Sequence, residues 1–282
     1  MRIAVVAPGS RLDPAIADRT QKLAQTLYPD LSLSFHPQCF LSSGHFAGTD
    51  EERANAFLEA ANDRAIDAVW FARGGYGAGR VALHALHRLT DEAAKKTYLG
   101  YSDTGALLAA LYTCGFRDLA HGPMPADLNR EGGEAAVKRS LDYLMTRDPS
   151  TLEPDVSSKT PTAAFNITIL SHLMGTPFQP DLAGHILMLE EVSEHMYRID
   201  RALLHVTSNP LIRTVAGIKL GRCSLIPPNE PDFAQSEDAV AQHWCEVSRM
   251  PYLGRAHIGH DAANKVVPFG RFRSATRVAN SE

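Results

Sequence analysis

A serine that could act as a nucleophile lies where a predicted strand meets a helix, in the run Gly100-Tyr101-Ser102-Asp103. A serine at such a turn projects from a sheet edge, and the free N–H groups of the helix start can stabilise an oxyanion on an attacked carbonyl. This resembles a nucleophile elbow, although Thr104 stands where the G-x-S-x-G pattern has glycine. Taken alone, the run favours a simple helix cap.

A glycine-rich loop follows another predicted strand, in the run Arg73-Gly74-Gly75-Tyr76-Gly77. The run lacks the lysine and hydroxyl of a phosphate-binding P-loop, and the dinucleotide-binding pattern does not register on it. Glycines here allow close backbone approach, so the loop is interpreted as a second wall of an active site, giving an oxyanion N–H from Gly74 or Gly75. A tight turn without catalytic function remains the alternative.

Two adjacent carboxylates end a third apolar run, in Leu187 to Glu191. A carboxylate at the end of an apolar strand is costly without a partner, and a histidine that it orients is one such partner. A helix cap or a surface ion pair is the alternative. Glu190 and Glu191 compete for the orienting function.

A histidine pair occupies the run His257-Ile258-Gly259-His260. Strand alternation would place His257 and His260 on opposite faces, which argues against a shared metal and favours one of them as a general base. A serine, a carboxylate 88 residues later (190 minus 102) and a histidine 70 residues after that (260 minus 190) then stand in the order Ser, Glu, His. This order recurs in unrelated serine hydrolases.

The first half of the chain alternates strand and helix patterns, which predicts an α/β fold. Buried strands are predicted at Ile3 to Ala7, Ala68 to Ala72 and Thr97 to Tyr101, and helices begin at the Asp13-Pro14 cap and at the Thr49-x-x-Glu52 capping box. Such sheets are parallel with helices on both faces, and they bind ligands at the carboxyl ends of their strands. Ser102 and the glycine-rich loop both follow such ends.

The pattern changes over residues 147–162, a stretch rich in proline and serine that predicts a linker. Residues 1–146 are predicted to form an N-terminal α/β domain that carries the nucleophile. Residues 163–282 are predicted to form a smaller mixed domain that carries the glutamate and the histidine.

Composition excludes several classes of function. The chain has 282 residues and a formal net charge of -4, with no basic patch typical of nucleic-acid binding. Its four cysteines form no C-x-x-C pair, which is consistent with a reducing compartment. The longest apolar runs are too short for a signal peptide or a membrane span. We therefore expect a cytoplasmic protein that neither binds nucleic acid nor spans a membrane.

Together these segments resemble the LD-carboxypeptidases, a serine peptidase family that also contains the microcin-immunity peptidases. The resemblance runs from Val6-Ala7-Pro8 to Pro268-Phe269-Gly270. It is carried by Phe46 to Arg53, Ala72 to Gly77, Gly100 to Asp103, His121 to Met124, Leu189 to Val192, Tyr197 to Arg201 and Gly259-His260.

The resemblance implies that Ser102 is the nucleophile, His260 the general base and Glu190 the residue that orients His260. It also implies an oxyanion hole from the Asp103 N–H and one from Gly74 or Gly75, with His257 and Glu191 as bystanders. The family fold has a flavodoxin-like N-terminal domain and a mixed C-terminal domain with a barrel-like sheet. Members are usually homodimers that use no metal or organic cofactor.

The implied substrate is the cytoplasmic murein tetrapeptide, which would lose its terminal D-alanine. Arg73 and Tyr76 are the substrate-binding candidates, and Arg73 could read the terminal carboxylate. A microcin-immunity-type peptidase that cleaves an aminoacyl-nucleotide amide and a non-catalytic muropeptide-binding module are the alternatives. Ser193 and His195-Met196 depart from the common family sequence beside Glu190.

Overall fold

The computed structural model describes residues 1–273 and contains two sheets. The first has six strands in the order β10-β5-β4-β3-β1-β2. All neighbouring pairs are parallel except β10 and β5, which are antiparallel. The strands are β1 (Arg2–Val6), β2 (Ser32–Phe35), β3 (Ala68–Phe71), β4 (Thr97–Gly100), β5 (Leu119–His121) and β10 (Val267–Pro268).

Five helices accompany this sheet: α1 (Pro14–Leu27), α2 (Asp50–Asn62), α3 (Ala78–Ala85), α4 (Gly105–Thr113) and α5 (Gly133–Thr146). Successive side chains of β3 point to opposite faces of the sheet and therefore pack in two different cores. Val69 packs in the core with α2, α3 and α4, and Trp70 packs in the core with α1 and α5. The sheet is therefore covered on both faces, and the order β2-β1-β3-β4-β5 is that of flavodoxin-like folds. The predicted N-terminal fold is confirmed.

Local sequence signals explain where two of these helices begin. Asp13 caps α1, whose first residue is Pro14, because its side chain accepts a hydrogen bond from the Ala15 N–H at 2.9 Å. In α2, Thr49 and Glu52 form the predicted capping box, in which each side chain bonds the other's backbone N–H.

The second sheet has four parallel strands in the order β6-β7-β8-β9. They are β6 (Thr162–Asn166), β7 (Ile186–Val192), β8 (Gly217–Ser224) and β9 (Tyr252–Arg255), and the helices of this half are α6 (Ile167–Leu173), α7 (Met196–Ser208) and α8 (Glu237–Val247). A smaller second α/β unit is thus present. Its strand order is linear, and the barrel-like closure implied by the resemblance is not confirmed.

The segment predicted as a linker packs closely against both units. Leu152 forms a bridge to Val266, and the buried Glu153 accepts from the Lys219 ammonium at 3.2 Å. The chain also returns from the second sheet to the first, where Val267 pairs with His121. The predicted division at residues 146 and 163 stays a prediction, and the last residues of the predicted second domain, 274–282, lie outside the described part of the chain.

Candidate active site

Ser102 lies directly beyond the carboxyl end of β4, at the start of a short 3-10 turn that leads into α4. Its φ of 59° is in the left-handed region, which residues other than glycine rarely adopt. Gly100 allows the turn, because a Cβ there would lie 2.5 Å from Thr104 Oγ1 and 2.7 Å from the Phe71 ring. The sequence thus holds the hydroxyl at the sheet edge in a strained conformation of the kind that clusters at functional sites.

The glycine-rich loop lies against Ser102, at the end of the neighbouring strand β3. A Cβ on Gly74 would come within 2.8 Å of Ser102 Oγ, so the backbone there approaches the hydroxyl closely. Within residues 1–273, no protein hydrogen bond uses the N–H of Gly74 or Gly75. The Asp103 carboxylate accepts from the Ala78 N–H at 2.8 Å, which joins the serine turn to the start of α3.

The other two predicted triad residues meet in the second unit. Nδ1 of His260 donates to Oε2 of Glu190 at 2.6 Å, across 70 residues of sequence. Glu190 lies on β7 with 0% exposure, and His260 follows β9 in a loop. Gly221 leaves room for the pair, because a Cβ there would lie 3.1 Å from the Cβ of Glu190.

The environment of His260 suits proton transfer at its other nitrogen. Burial lowers the pKa of the imidazole, but the charge of Glu190 and its hydrogen bond outweigh burial and raise the pKa of His260 above its usual value. Nε2 of His260 is buried and has no hydrogen-bond partner among the residues that the structure describes. A base whose Nδ1–H is held by a carboxylate presents an Nε2 that can accept a proton.

Ser102 and His260 line the same cleft between the two units, which has a volume of about 500 Å³. The ring of Tyr101, the residue before the serine, lies 4.8 Å from the His260 ring centre to centre. No direct hydrogen bond joins Ser102 Oγ to His260 in residues 1–273. Catalytic hydrogen bonds are often long in enzymes without substrate and tighten when it binds.

Glu191 and His257, the residues expected to be bystanders, make different contacts from Glu190 and His260. Glu191 points to the start of α6, where its carboxylate accepts from the Thr168 N–H at 2.9 Å and the Thr168 hydroxyl at 2.7 Å. His257 is exposed. The expectation that His257 and His260 alternate along a strand was wrong, because β9 ends at Arg255 and both histidines lie in the loop beyond it.

The two substrate-binding candidates lie in different places. Arg73 lines the cleft, where its guanidinium donates to the Arg11 carbonyl at 3.2 Å. Tyr76 is 61% exposed and packs with His45 and Phe46 at ring distances of 6.4 and 6.0 Å. Tyr76 belongs to the glycine-rich loop, but unlike Arg73, Gly74 and Gly75 it does not line the cleft.

A polar network under the cleft has no signature in the sequence. Asp127 is buried and accepts from the Tyr101 hydroxyl at 2.6 Å, the Met124 N–H at 2.8 Å and Nε of Arg130 at 2.8 Å. Nη1 of Arg130 donates to the carbonyl of His260 at 2.5 Å. The network fixes the residue before the serine and the backbone of the histidine, and no local motif announces it.

A second buried contact holds the histidine loop. Oδ1 of Asn264 accepts from the Gly259 N–H at 3.2 Å and lies 3.2 Å from Nε2 of His121. Burial lowers the pKa of His121 to about 4, so this imidazole is neutral and acts as a hydrogen-bond donor.

Ser193 and Leu225, each of which directly follows a strand of the second sheet, share the left-handed backbone conformation of Ser102. Ser193 after β7 has φ 59° and Leu225 after β8 has φ 54°, and both line the cleft. A left-handed φ is strained for serine and leucine, because residues other than glycine rarely adopt it. Together with Ser102, three strand ends turn away sharply at this cleft.

Residues 1–273 contain no group of three or more His, Cys, Asp or Glu side chains that could hold a metal ion. No helix in this part of the chain is long and apolar enough to cross a membrane.

The structure is thus an α/β protein in which a strained serine and a carboxylate-held histidine line one cleft, and such side chains suit a hydrolase. Sequence comparison supplies the family. Residues 3–122 match the family model of the LD-carboxypeptidase N-terminal domain, and residues 161–273 match that of the LD-carboxypeptidase C-terminal domain. The chain belongs to the LD-carboxypeptidase family, a family of peptidases, and the resemblance drawn from the sequence is confirmed.

Individual proteins cover nearly the whole chain. The murein tetrapeptide carboxypeptidase of Pseudomonas aeruginosa is 26% identical over 287 residues, which is 96% of this chain and 91% of that protein. A muramoyltetrapeptide carboxypeptidase from Oxalobacter formigenes has a TM-score of 0.77 at 24% identity, with 95% and 93% of the two chains covered. The microcin C7 self immunity protein MccF has a TM-score of 0.78 at 17% identity, with 95% and 91% covered. These two structures establish the shared fold.

Proposed function

We propose that this protein is a serine carboxypeptidase that removes the terminal D-alanine from murein tetrapeptides. The observation that carries the proposal is the 2.6 Å hydrogen bond from His260 to Glu190, which leaves the other nitrogen of an imidazole that lines the same cleft as Ser102 without a partner among the described residues. The murein tetrapeptide carboxypeptidase of Pseudomonas aeruginosa, which matches over 96% of this chain, supports the substrate.

The proposed mechanism uses Ser102 Oγ as the nucleophile on the carbonyl that precedes the terminal D-alanine. Nε2 of His260 takes the serine proton as the new C–O bond forms, and Glu190 stabilises the imidazolium. The oxyanion accepts hydrogen bonds from the Asp103 N–H and from Gly74 or Gly75.

Breakdown of this intermediate completes the proposed cycle. The C–N bond breaks when His260 returns the proton to the departing amine, which leaves as D-alanine. Water, deprotonated by His260, then hydrolyses the acyl-serine ester, and the serine regains its proton. No step requires a group beyond these side chains, the two amides and water.

A homodimer and a cytoplasmic location are proposed because members of the family usually have them. A murein peptide is the proposed partner. MccF, which shares the fold, has been solved in complex with aspartyl sulfamoyl adenosine, so an aminoacyl-nucleotide amide is the rival substrate. The non-catalytic alternative is disfavoured by the hydrogen-bonded pair of Glu190 and His260.

Release of D-alanine from purified murein tetrapeptide is the experiment that tests the function. An aspartyl sulfamoyl adenosine is assayed in parallel, and reaction with a serine-directed fluorophosphonate reports on the nucleophile. D-alanine release with labelled Ser102 supports the proposal. Cleavage of the nucleotide substrate alone favours the microcin-type peptidase, and an unlabelled, inactive protein favours a binding module.

A further inference from the structure

An exopeptidase must recognise the free carboxylate at the end of its substrate. Backbone bond lengths place this carboxylate carbon only about 3 to 4 Å from the carbon under attack, because one residue separates them. A cation that binds it must therefore lie on the wall of the cleft beside the serine. Two arginines, Arg73 and Arg130, are the only Lys or Arg residues that line the cleft in the described part of the chain.

Arg130 is the better prepared of the two. Asp127 accepts from its Nε at 2.8 Å and the His260 carbonyl accepts from its Nη1 at 2.5 Å, so the guanidinium is fixed on the loop of the general base. The Asp127 side chain is 5% exposed, whereas that of Arg130 is 37% exposed and reaches the cleft. A guanidinium held in place loses less conformational freedom when it binds a carboxylate.

The Nη2 group of Arg130 is available to donate hydrogen bonds to a ligand. Among residues 1–273, no hydrogen bond uses its Nη2, whose two protons can meet a carboxylate oxygen. Arg73, in contrast, is exposed and is held by one 3.2 Å bond to the Arg11 carbonyl, with no carboxylate to fix it.

We infer that Arg130 binds the free terminal carboxylate of the peptide substrate and so makes the enzyme an exopeptidase. The inference rests on the proposed function, whose substrate it explains. It assigns this task to Arg130 in place of Arg73, the residue favoured from the sequence. Asp127 acts as the positioning residue that sets the guanidinium toward the cleft.

The test compares two substrates that differ only at the carboxylate, the murein tetrapeptide and its C-terminal amide. The wild-type protein should prefer the free acid, and Arg130→Gln should reduce kcat/KM for the free acid roughly 100-fold more than for the amide. Arg130→Lys, which keeps the charge without the fork, should recover part of this preference.

Arg139→Gln provides the matched control. Arg139 Nη1 donates to the carbonyls of Ala262 and Asn264 at 2.9 and 2.8 Å, so it anchors the same loop but does not line the cleft. Its loss should lower kcat/KM for both substrates by a similar factor. Equal losses on acid and amide in Arg130→Gln would mean that Arg130 only supports the loop, and the inference would be wrong.

Failure of the function itself gives a different result. A wild-type protein that releases no D-alanine from the tetrapeptide contradicts the proposed function before any variant is compared. If the wild type is active and Arg73→Gln, not Arg130→Gln, abolishes the preference for the free acid, the function stands and the carboxylate site belongs to Arg73.

Discussion

Glu190 and His260 are joined by a 2.6 Å hydrogen bond although 70 residues separate them in sequence. Glu190 is on β7 and its side chain is fully buried. His260 is on a loop whose backbone accepts a hydrogen bond from Arg130 and donates one to Asn264. The pair is therefore a product of tertiary packing, and its chemistry can be tested by removing one charge at a time.

Glu190→Gln should lower kcat by roughly 10³- to 10⁴-fold, because the amide can no longer stabilise the imidazolium. It should also move the acid limb of the residual kcat/KM profile to lower pH. The reason is that the Glu190 charge raises the pKa of His260, whereas burial alone lowers it, and the base must be neutral to act.

Glu191→Gln is the control for this pH shift. Its carboxylate bonds Thr168 at the start of α6, so the variant should lose stability without moving the acid limb. An acid limb that stays in place in Glu190→Gln would show that the carboxylate does not set the ionisation of the base.

Ser102→Ala should reduce kcat at least on the order of 10³-fold with an unchanged circular dichroism spectrum. Ser193 has the same φ of 59° and lines the same cleft, so Ser193→Ala removes a hydroxyl in matched surroundings. That variant should lose far less activity. D-alanine release by Ser102→Ala at close to the wild-type rate would end the assignment of the nucleophile.

Gly74→Ala should impair catalysis through contact with the serine. The new methyl group would lie 2.8 Å from Ser102 Oγ and 2.9 Å from its Cβ, so the hydroxyl must move away from the position it now holds. Since misplacement by about 1 Å costs roughly 10²-fold in rate, we expect a loss of that size in kcat.

Gly79→Ala is the companion to this variant. Gly79 lies in α3, and a Cβ there meets only the Cβ of Ala106, at 4.0 Å. Because alanine is the better helix former, the free energy of unfolding should rise by about 0.5–1 kcal/mol while D-alanine release stays near wild type. Equal activities for the two variants would contradict the close approach of Gly74 to Ser102.

His121 should make the protein sensitive to acid. The unfolded chain binds a proton at His121 near pH 6.5, but burial delays protonation in the folded state to about pH 4. The unfolded state therefore holds more protons in this window, and the free energy of unfolding falls as the pH falls from 6.5 to about 4.

The shift from the usual pKa corresponds to about 3 kcal/mol. His121→Gln should thus lose about 3 kcal/mol less stability than wild type between pH 7.5 and pH 4, as measured by urea denaturation. The same loss in both proteins would mean that another group causes the acid sensitivity.

Local signals predicted much of the first unit. The Asp13 cap, the Thr49 capping box and the buried run at β3 each depend on a few neighbouring residues, and each is present in the structure. Elements with weak local patterns were missed. β5 has three residues, and β6 reads Thr-Ala-Ala-Phe-Asn, in which Thr162 is the one β-branched residue and two alanines favour other structure.

The site shows the same division. Ser102, Glu190 and His260 were each candidates from a strand end or a short motif, but their catalytic roles were implied only by the family resemblance. The contacts of Asp127 with Tyr101 and Arg130 arise where separate loops pack together. No spacing in the sequence encodes them, and for this reason the sequence pointed to Arg73 as the candidate for the terminal carboxylate and not to Arg130.

The pairing of Val267 with His121 affects the order in which the protein can be completed during synthesis. β10, the outer neighbour of β5, is synthesised last: its Val267 follows His121 of β5 by 146 residues (267 minus 121). Until then the nascent chain carries an uncovered sheet edge, and such edges pair readily with other chains. A ribosome that stalls before residue 267 would therefore release a product prone to aggregate, whereas the full-length chain covers that edge with its own β10.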